Sequence, residues 1–179
     1  PALHIISLDS LTKFLKIFES KKIEFFLVGG TLLGAEKHES FAGRPTDIDL
    51  GIKEDDLPQL MEMLPLIKKM KTKYIRIWPI GGCERIQILF HDQLIDVGIY
   101  RKKKVGGDLV WIGETEQPWD QEYNGITFPL NDLNNLISIK LYGQNFFAPL
   151  NPRAYLVKKF GSGWKDIYKN QFLWKKKIN

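Results

Sequence analysis

Two aspartates alternate with apolar residues in the stretch DIDLGI, at residues 47–52. Successive side chains of a strand point to opposite faces, so Asp47 and Asp49 would share one face and the aliphatic residues the other. The apolar face must pack against a core, and the opposite face then presents two carboxylates whose Cα atoms lie about 6 to 7 Å apart. Like charges this close repel each other unless a cation lies between them. The stretch therefore predicts a strand that presents a cation site.

A pair of glycines precedes this strand. Gly29 and Gly30 end the continuous apolar run IEFFLV at residues 23–28, which predicts a central strand, and the next segment, TLLGAEKH, predicts a short helix. Glycine lets the backbone approach a ligand closely, and a helix N-terminus attracts phosphate through its amides and dipole. Gly29, Gly30 and the hydroxyl of Thr31 are therefore predicted to hold phosphate.

A third aspartate occurs in a similar setting further along the chain. Asp96 lies in LIDVGIY, a second alternating strand. A tight turn at Asp92-Gln93 would pair Asp96 with Leu89 and would place Gln87 and Arg85 on the carboxylate side. Arg85 could there grip a phosphate oxygen. Carboxylates on one face suit Mg²⁺ or Mn²⁺, since these hard cations prefer oxygen ligands.

The other elements are predicted from periodicity and from turn residues. Further strands are expected at residues 74–78, 84–91, 94–101, 105–112 and 126–130. Helices are expected from Asp9 or Ser10, from Asp55 or Asp56 with a kink or break at Pro65, over residues 131–143, and between Asn151 and Gly161. These elements predict one mixed α/β (α+β) domain over residues 1–179, whose largely antiparallel sheet is flanked by helices.

The charge and the apolar content limit the function classes. The net charge is +5, and 44% of the residues are hydrophobic, which excludes a disordered chain. Basic residues cluster at 68–73, 101–104 and 174–177 and favour anionic partners, although exposed loops and a tail explain them equally well. An RNA-binding, non-catalytic module is an alternative, but no stacking motif accompanies the clusters, so no stable nucleic acid partner is expected.

Two features predict the compartment. Cys83 is the single cysteine, which excludes an internal disulfide and fits a reducing compartment. No apolar run approaches the roughly 20 residues that span a bilayer, and the first residues are too weakly apolar for a secretory signal. A cytoplasmic location is expected, with peripheral attachment to an anionic membrane through the C-terminal WKKKIN as an alternative.

The stretch GGTLLGAEKHESFAGRPTDIDLGI, at residues 29–52, resembles the LicD family of the nucleotidyltransferase superfamily, which includes phosphocholine transferases and fukutin-related proteins. Positions that agree with the family's pattern are Gly29, Gly30, Thr31, Leu32, Leu33, Gly34, His38, Phe41, Asp47, Ile48 and Asp49. LIDVGIY and NPRAYLVKKFGSGW resemble two further signatures. Lys37 replaces an arginine, and Arg44-Pro45-Thr46 stands where Trp-Asp-Asp is common.

The resemblance implies a nucleotidyltransferase-like fold and a metal-dependent phosphotransferase. Such an enzyme moves a phospho-alcohol, such as phosphocholine, phosphoribitol or glycerophosphate, from a CDP-activated donor to a hydroxyl of a glycan or lipid-linked glycan. It implies Asp47 and Asp49 as Mg²⁺ or Mn²⁺ ligands, and Asp96 as a third ligand or as the base that accepts the acceptor's proton. An enzyme that adds a nucleoside monophosphate to a small molecule or protein is the alternative on the same fold.

Further residues are candidates for substrate contacts. Lys37, His38 and Arg85 are candidate contacts of the donor phosphates, although His38 also fits an exposed helix-end histidine. A cage for a quaternary ammonium group could be formed by tryptophans, with core packing as the alternative. The candidates for that cage are Trp111, Trp119 and Trp164.

Overall fold

The structure is a computed structural model, and it describes residues 2–42, 45, 47–80, 83–114 and 125–167. Its helices are α1 (Ala2–Ile17), α2 (Gly29–His38), α3 (Leu57–Lys68), α4 (Leu130–Asn134) and α5 (Pro152–Phe160), with 3₁₀ turns at Glu54–Asp56 and Trp164–Asp166. Its strands are β1 (Phe26–Leu27), β2 (Asp47–Lys53), β3 (Thr72–Ile80), β4 (Cys83–Phe90), β5 (Gln93–Val105), β6 (Asp108–Gly113), β7 (Ile126–Pro129), β8 (Ile137–Leu141) and β9 (Gln144–Ala148).

The strands form one mixed sheet. Its order is β3-β4-β5-β2-β1-β9-β8, and the long strand β5 also pairs with β6, which pairs with β7. The pairs β2 with β5 and β1 with β9 are parallel, and the other strand pairs of the described chain are antiparallel. The predicted mixed α/β architecture with a mostly antiparallel sheet is therefore confirmed.

One face of the sheet packs into the core under α1. The alternating aliphatic residues of β2 and β5 are buried on this face: Ile48, Leu50, Ile52, Ile95, Val97 and Ile99. The Phe14 ring of α1 lies 5.8 Å from the Phe90 ring of β4 and 5.4 Å from Phe25. Because this face is filled by α1, the carboxylates of β2 and β5 point to the other side of the sheet.

The first helix begins earlier than its sequence predicts. It starts at Ala2 rather than at Asp9 or Ser10. No glycine or proline interrupts residues 2–17. Ser7 therefore lies inside the helix rather than before it, and its side chain is buried. The Ser7 hydroxyl donates a hydrogen bond of 2.8 Å to Gln93 Oε1. This contact with β5 holds the first turns of α1 against the sheet.

A kink or break of the second long helix is predicted at Pro65, but helix α3 continues through Pro65 and ends at Lys68. Leu64 and Ile67 are buried on either side of the proline, and their packing offsets the lost backbone hydrogen bond. The helix over Pro152–Phe160, flanked by Asn151 and Gly161, is confirmed.

The prediction of a helix over residues 131–143 is wrong. Only α4 is helical there, and β8 and β9 follow it as a hairpin. Tyr142 and Gly143 form the connecting turn with φ values of 50° and 74°. Gly143 was expected to end a helix, but a two-residue hairpin turn requires the same positive φ.

The turn between β4 and β5 lies one residue earlier than predicted. His91 and Asp92 occupy it, with φ values of 48° and 60°. Asp96 consequently pairs with Gln87 rather than with Leu89. This shift changes the pairing by two residues, and because side chains alternate with a period of two, Arg85 and Gln87 stay on the carboxylate side as predicted.

None of the described helices is long and apolar enough to cross a membrane. The single domain over residues 1–179 stays a prediction, since the described residues cover part of that range.

Candidate active site

The three predicted aspartates meet on the face of the sheet opposite α1. Asp49 of β2 and Asp96 of β5 are direct partners in the parallel ladder, and Asp47 lies two residues before Asp49 on the same face. One carboxylate oxygen from each residue lies within 4.8 Å of the others, and all three residues are half-buried. Three hard oxygen donors at this separation fit a divalent cation such as Mg²⁺ or Mn²⁺.

The three carboxylates of this cluster influence one another's protonation, most clearly at Asp49. The pKa of Asp49 is raised from 3.8 to about 7, first because burial disfavours its charged form, and then because Asp47 and Asp96 repel it. The amide of Gly30 and the ammonium group of Lys159 lower the pKa only partly. Burial and the two neighbouring carboxylates thus disfavour the charged form of Asp49, and a bound metal ion would favour it.

The glycine bend packs directly against Asp49. Gly29 has φ +53°, and a Cβ placed on it would lie 2.6 Å from Asp49 Oδ2. The amide of Gly30 donates a hydrogen bond of 3.0 Å to the same oxygen. Thr31 Oγ1 accepts a 2.9 Å hydrogen bond from the backbone N–H of Asp49. The bend therefore requires glycine for two reasons: the backbone conformation and the closeness of the carboxylate.

These contacts give the predicted phosphate-binding residues a positioning role. The Gly29 amide donates to the Tyr155 hydroxyl at 2.8 Å, the Gly30 amide donates to Asp49, and the Thr31 side chain is buried. Their assignment as contacts of the donor phosphates stays a prediction. The N-terminus of α2 nevertheless points toward the carboxylates, because Gly30 in its first turn touches Asp49.

Asp96 is held by side chains of β4 and β3. Arg85 Nε lies 3.2 Å from Asp96 Oδ1, and Gln87 Nε2 donates a 3.4 Å hydrogen bond to Asp96 Oδ2. Trp78 Nε1 in turn donates to Gln87 Oε1 at 3.1 Å. Arg85 is therefore at the site, as predicted, while its contact with a phosphate stays a prediction.

The structure does not bring Lys37 or His38 to the carboxylates. Both lie in the last turn of α2, and seven residues of helical rise, about 10 Å, separate Lys37 from Gly30. Lys37 Nζ donates to the carbonyl of Ile167 at 2.6 Å, and His38 is exposed. His38 therefore matches the alternative given above, an exposed histidine at the end of a helix.

The tryptophan cage is not formed by the described tryptophans. Trp111 and Trp164 are 1% and 4% exposed, so both contribute to core packing and leave little ring surface for a ligand. Trp119 lies outside the described residues.

A buried polar network behind the glycine bend was missed by the sequence analysis. Glu114 accepts hydrogen bonds from the Tyr100 hydroxyl at 2.6 Å, from the Tyr155 hydroxyl at 3.0 Å and from Lys159 Nζ. Tyr155 also accepts the Gly29 amide, so the network holds the bend in place. Tyr155 and Lys159 share one face of α5 at i,i+4 spacing, but no local pattern indicates their common partner Glu114, which follows β6.

Tyr155 of this network keeps its proton. Burial, and then the negative charge of Glu114, raise the pKa of Tyr155 well above its usual value. Its hydroxyl can therefore donate to Glu114 and accept from Gly29 at the same time.

Known proteins with similar sequences are longer than this chain. The chain is 25% identical over 147 residues to the uncharacterized protein RT0683 of Rickettsia typhi, a match that covers 81% of this chain and 42% of that protein. It is 24% identical over 168 residues to ribitol 5-phosphate transferase FKRP of Mus musculus and of Homo sapiens, which covers 82% of this chain and 29% of each relative. The chain thus spans less than half the length of these relatives.

Among solved structures, the chain is similar to the antibiotic-resistance factor ANT(2″)-Ia. The solution structure of that protein gives a TM-score of 0.44 at 11% identity, with 98% of this chain and 95% of the other covered. The crystal structure with adenylyl-2″-tobramycin gives a TM-score of 0.48 at 10% identity, with 97% and 98% covered.

A family comparison covers most of the described chain. The family described as LicD/FKTN/FKRP, nucleotidyltransferase domain, matches residues 22–151, a range that includes the glycine bend and all three aspartates. On the strength of this match, the chain belongs to the LicD/FKTN/FKRP family.

Proposed function

We propose that this domain is a metal-dependent phosphotransferase that moves a phospho-alcohol from a CDP-activated donor to a glycan hydroxyl. The observation that carries the proposal is the meeting of Asp47, Asp49 and Asp96 within 4.8 Å beside a helix N-terminus. In the reaction, the acceptor oxygen forms a new bond to phosphorus while the bond from phosphorus to the CMP oxygen breaks. CMP leaves with the electron pair, and the proton of the acceptor hydroxyl passes to solvent water.

Asp47, Asp49 and Asp96 would hold the Mg²⁺ or Mn²⁺ ion. When bound, the ion supplies neutralising charge to the donor phosphates. The contacts of Asp96 favour its role as a ligand over that of a base. Arg85 Nε lies 3.2 Å from one of the Asp96 carboxylate oxygens and Gln87 donates a hydrogen bond to the other, and carboxylates that bind metals are commonly oriented by such neighbouring side chains.

The chain's own residues would position the donor. The N-terminus of α2 attracts its phosphates through the helix dipole. Arg85 and Lys159 approach the carboxylates from opposite sides, from β4 and from α5, and supply positive charge near the transferred group. Phosphoryl transfer needs mainly this kind of positioning and charge neutralisation.

The donor alcohol, the acceptor and the location are proposals of the same kind. Phosphocholine, phosphoribitol and glycerophosphate are the candidate groups, and a glycan or lipid-linked glycan is the candidate acceptor. A cytoplasmic location, with peripheral membrane attachment as the alternative, stays a prediction from the sequence.

Ligand binding and turnover test the proposal together. Melting temperatures would be measured with Mg²⁺ or Mn²⁺ plus CDP-choline, CDP-ribitol, CDP-glycerol, ATP or UTP, since a bound ligand stabilises the folded state. Release of CMP would then be followed with the donor that raises the melting temperature. We expect one CDP-alcohol to bind and turn over, and Asp47→Asn with Asp49→Asn to abolish both effects.

The matched control is Asp108→Asn, which removes an exposed carboxylate at the β5–β6 turn. It should leave binding and turnover unchanged. Full metal-dependent turnover in the double variant would refute the proposal, and nucleotide left on an acceptor with ATP or UTP would favour the nucleotidyltransferase alternative.

A further inference from the structure

The two sides of the carboxylate cluster differ in chemistry. In the strand order β3-β4-β5-β2-β1, the glycine bend and α2 follow β1 on one side of the aspartates, and β4 and β3 lie on the other side. In phosphoryl transfer the attacking and leaving oxygens lie roughly in line on opposite sides of phosphorus. If the leaving nucleotide is held on the α2 side, the acceptor must enter across β4 and β3.

A row of side chains extends in that direction on the carboxylate face. Asp49 pairs with Asp96, Asp96 pairs with Gln87, and Gln87 pairs with Arg76 of the edge strand β3. Residues two apart on a strand share a face, so Trp78 and Tyr74 of β3 lie on the same side of the sheet as this row. The row leads from the metal-binding candidates to an aromatic surface.

The ring of Trp78 is oriented by the catalytic cluster itself. Its Nε1 donates to Gln87 Oε1 at 3.1 Å, and Gln87 Nε2 donates to Asp96 Oδ2 at 3.4 Å. The ring is therefore two hydrogen bonds away from a candidate metal ligand. Trp78 is half-buried, so part of its surface remains accessible to a ligand.

Arg76 adds hydrogen-bond donors to this surface. Its guanidinium lies 5.5 Å from the centroid of the Trp78 ring and 5.4 Å from that of Tyr74. A guanidinium at these distances makes cation–π contacts with both rings, and its five N–H groups are hydrogen-bond donors. Gln87 is 9% exposed, and the hydrogen bonds to Trp78 and Asp96 are two of the four that its amide group can make.

We propose that Tyr74, Arg76, Trp78 and Gln87 form an acceptor shelf, a subsite that binds a pyranose ring of the acceptor glycan. The apolar C–H face of the sugar stacks on Trp78, and its hydroxyl groups bond to Arg76 and Gln87. This assignment rests on the proposed function, since the in-line argument supplies the direction of entry. The connection from Trp78 through Gln87 to Asp96 then brings a sugar hydroxyl toward the transferred phosphoryl group.

Saturation-transfer NMR on the whole chain tests the shelf without turnover. The probes are methyl glycosides of glucose, galactose, mannose, N-acetylglucosamine and N-acetylgalactosamine at millimolar concentration. We expect at least one to bind through its C–H face, and Trp78→Ala to weaken that binding by about tenfold or more. Trp78→Phe should retain most of the binding because it keeps a ring face.

Two controls separate the shelf from general effects. Phe147→Ala removes an exposed aromatic ring, 47% exposed, from β9 and should leave sugar binding unchanged. The melting-temperature rise with Mn²⁺ should persist in Trp78→Ala, which shows that the carboxylates keep their arrangement. Arg76→Ala should weaken sugar binding without affecting the response to Mn²⁺.

The outcomes distinguish the shelf from the proposed function. Absence of sugar binding by the wild-type chain, or equal binding by Trp78→Ala, overturns the shelf even if the CDP-alcohol is turned over. Sugar binding that depends on Trp78 supports the shelf even if Asp47→Asn with Asp49→Asn shows that the proposed transfer is wrong. Equal losses in Phe147→Ala and Trp78→Ala also overturn it.

Discussion

Asp49 links the stability of the fold to its proposed chemistry. Its folded pKa is about 7, whereas the unfolded carboxyl group has the ordinary value of 3.8. Between these values the folded chain holds a proton that the unfolded chain has lost. The free energy of unfolding of the metal-free protein should therefore fall as pH rises from about 4 to about 7. Urea denaturation at a series of pH values measures this, and Asp49→Asn should lack that part of the decrease.

The response to metal should have the opposite pH dependence. A divalent cation and a proton compete for Asp49, so the melting-temperature rise caused by Mn²⁺ should increase as pH passes through 7. A Mn²⁺ effect that is the same at pH 6 and pH 8 would contradict a role for Asp49 as ligand.

Gly29 is the residue where conformation and site geometry coincide. Gly29→Ala adds a methyl group 2.6 Å from Asp49 Oδ2 at a φ of +53°, so it should lower the free energy of unfolding by at least about 1 to 2 kcal/mol and abolish the response to Mn²⁺. Gly143→Ala is the matched control, because φ there is +74° but nothing lies within 4 Å of the added Cβ. It should cost about 1 to 2 kcal/mol and leave Mn²⁺ binding intact. Similar Mn²⁺ responses in both variants would show that the bend does not position Asp49.

Helix α5 contacts the glycine bend through one hydroxyl. Tyr155→Phe removes the acceptor of the Gly29 amide and a donor to Glu114, and should cost about 1 to 3 kcal/mol because buried partners lose their hydrogen bonds. Tyr100→Phe removes a donor to Glu114 without touching the bend. Chemical denaturation should show both losses, while isothermal titration with Mn²⁺ should show weaker binding in Tyr155→Phe alone. Equal Mn²⁺ affinities in the two variants would assign Tyr155 a purely structural role.

The strands that carry the aspartates could be predicted because alternation is a strong local signal. In β2 and in residues 95–99 of β5 every second residue is buried and aliphatic, so the face of each aspartate could be predicted from the spacing. The cross-strand partner of Asp96 could not be predicted in this way, because it depends on whether the turn begins at His91 or at Asp92. The face of the sheet on which Asp96 lies is nevertheless as predicted, since the pairing shifted by two residues and side chains alternate with a period of two.

The hairpin of β8 and β9 shows where the local signal fails. The apolar residues of this hairpin and Gly143 also fit a helix that ends at a glycine, so the sequence pattern predicts a helix over residues 131–143. The pairing of β9 with β1, through Phe147 and Phe26, decides in favour of strands. Glu114 and Tyr155 likewise lie on separate elements, and only the packing of α5 brings them together.

The whole sheet gives the site two distinct sides. The glycine bend and α5 lie on one side of the aspartates, and the acceptor shelf of β3 and β4 lies on the other. The match covers 29% of FKRP, so this domain corresponds to a part of that relative's length.

The central claim is that Asp47, Asp49 and Asp96 bind one divalent cation together. Anomalous diffraction from crystals grown with Mn²⁺ tests it most directly. We predict a strong anomalous peak at about 2.1 to 2.2 Å from an oxygen of each aspartate, the usual range for small divalent cations bound by carboxylates. A structure with Mn²⁺ bound elsewhere, and with the three carboxylates free of metal at saturating Mn²⁺, would contradict the claim.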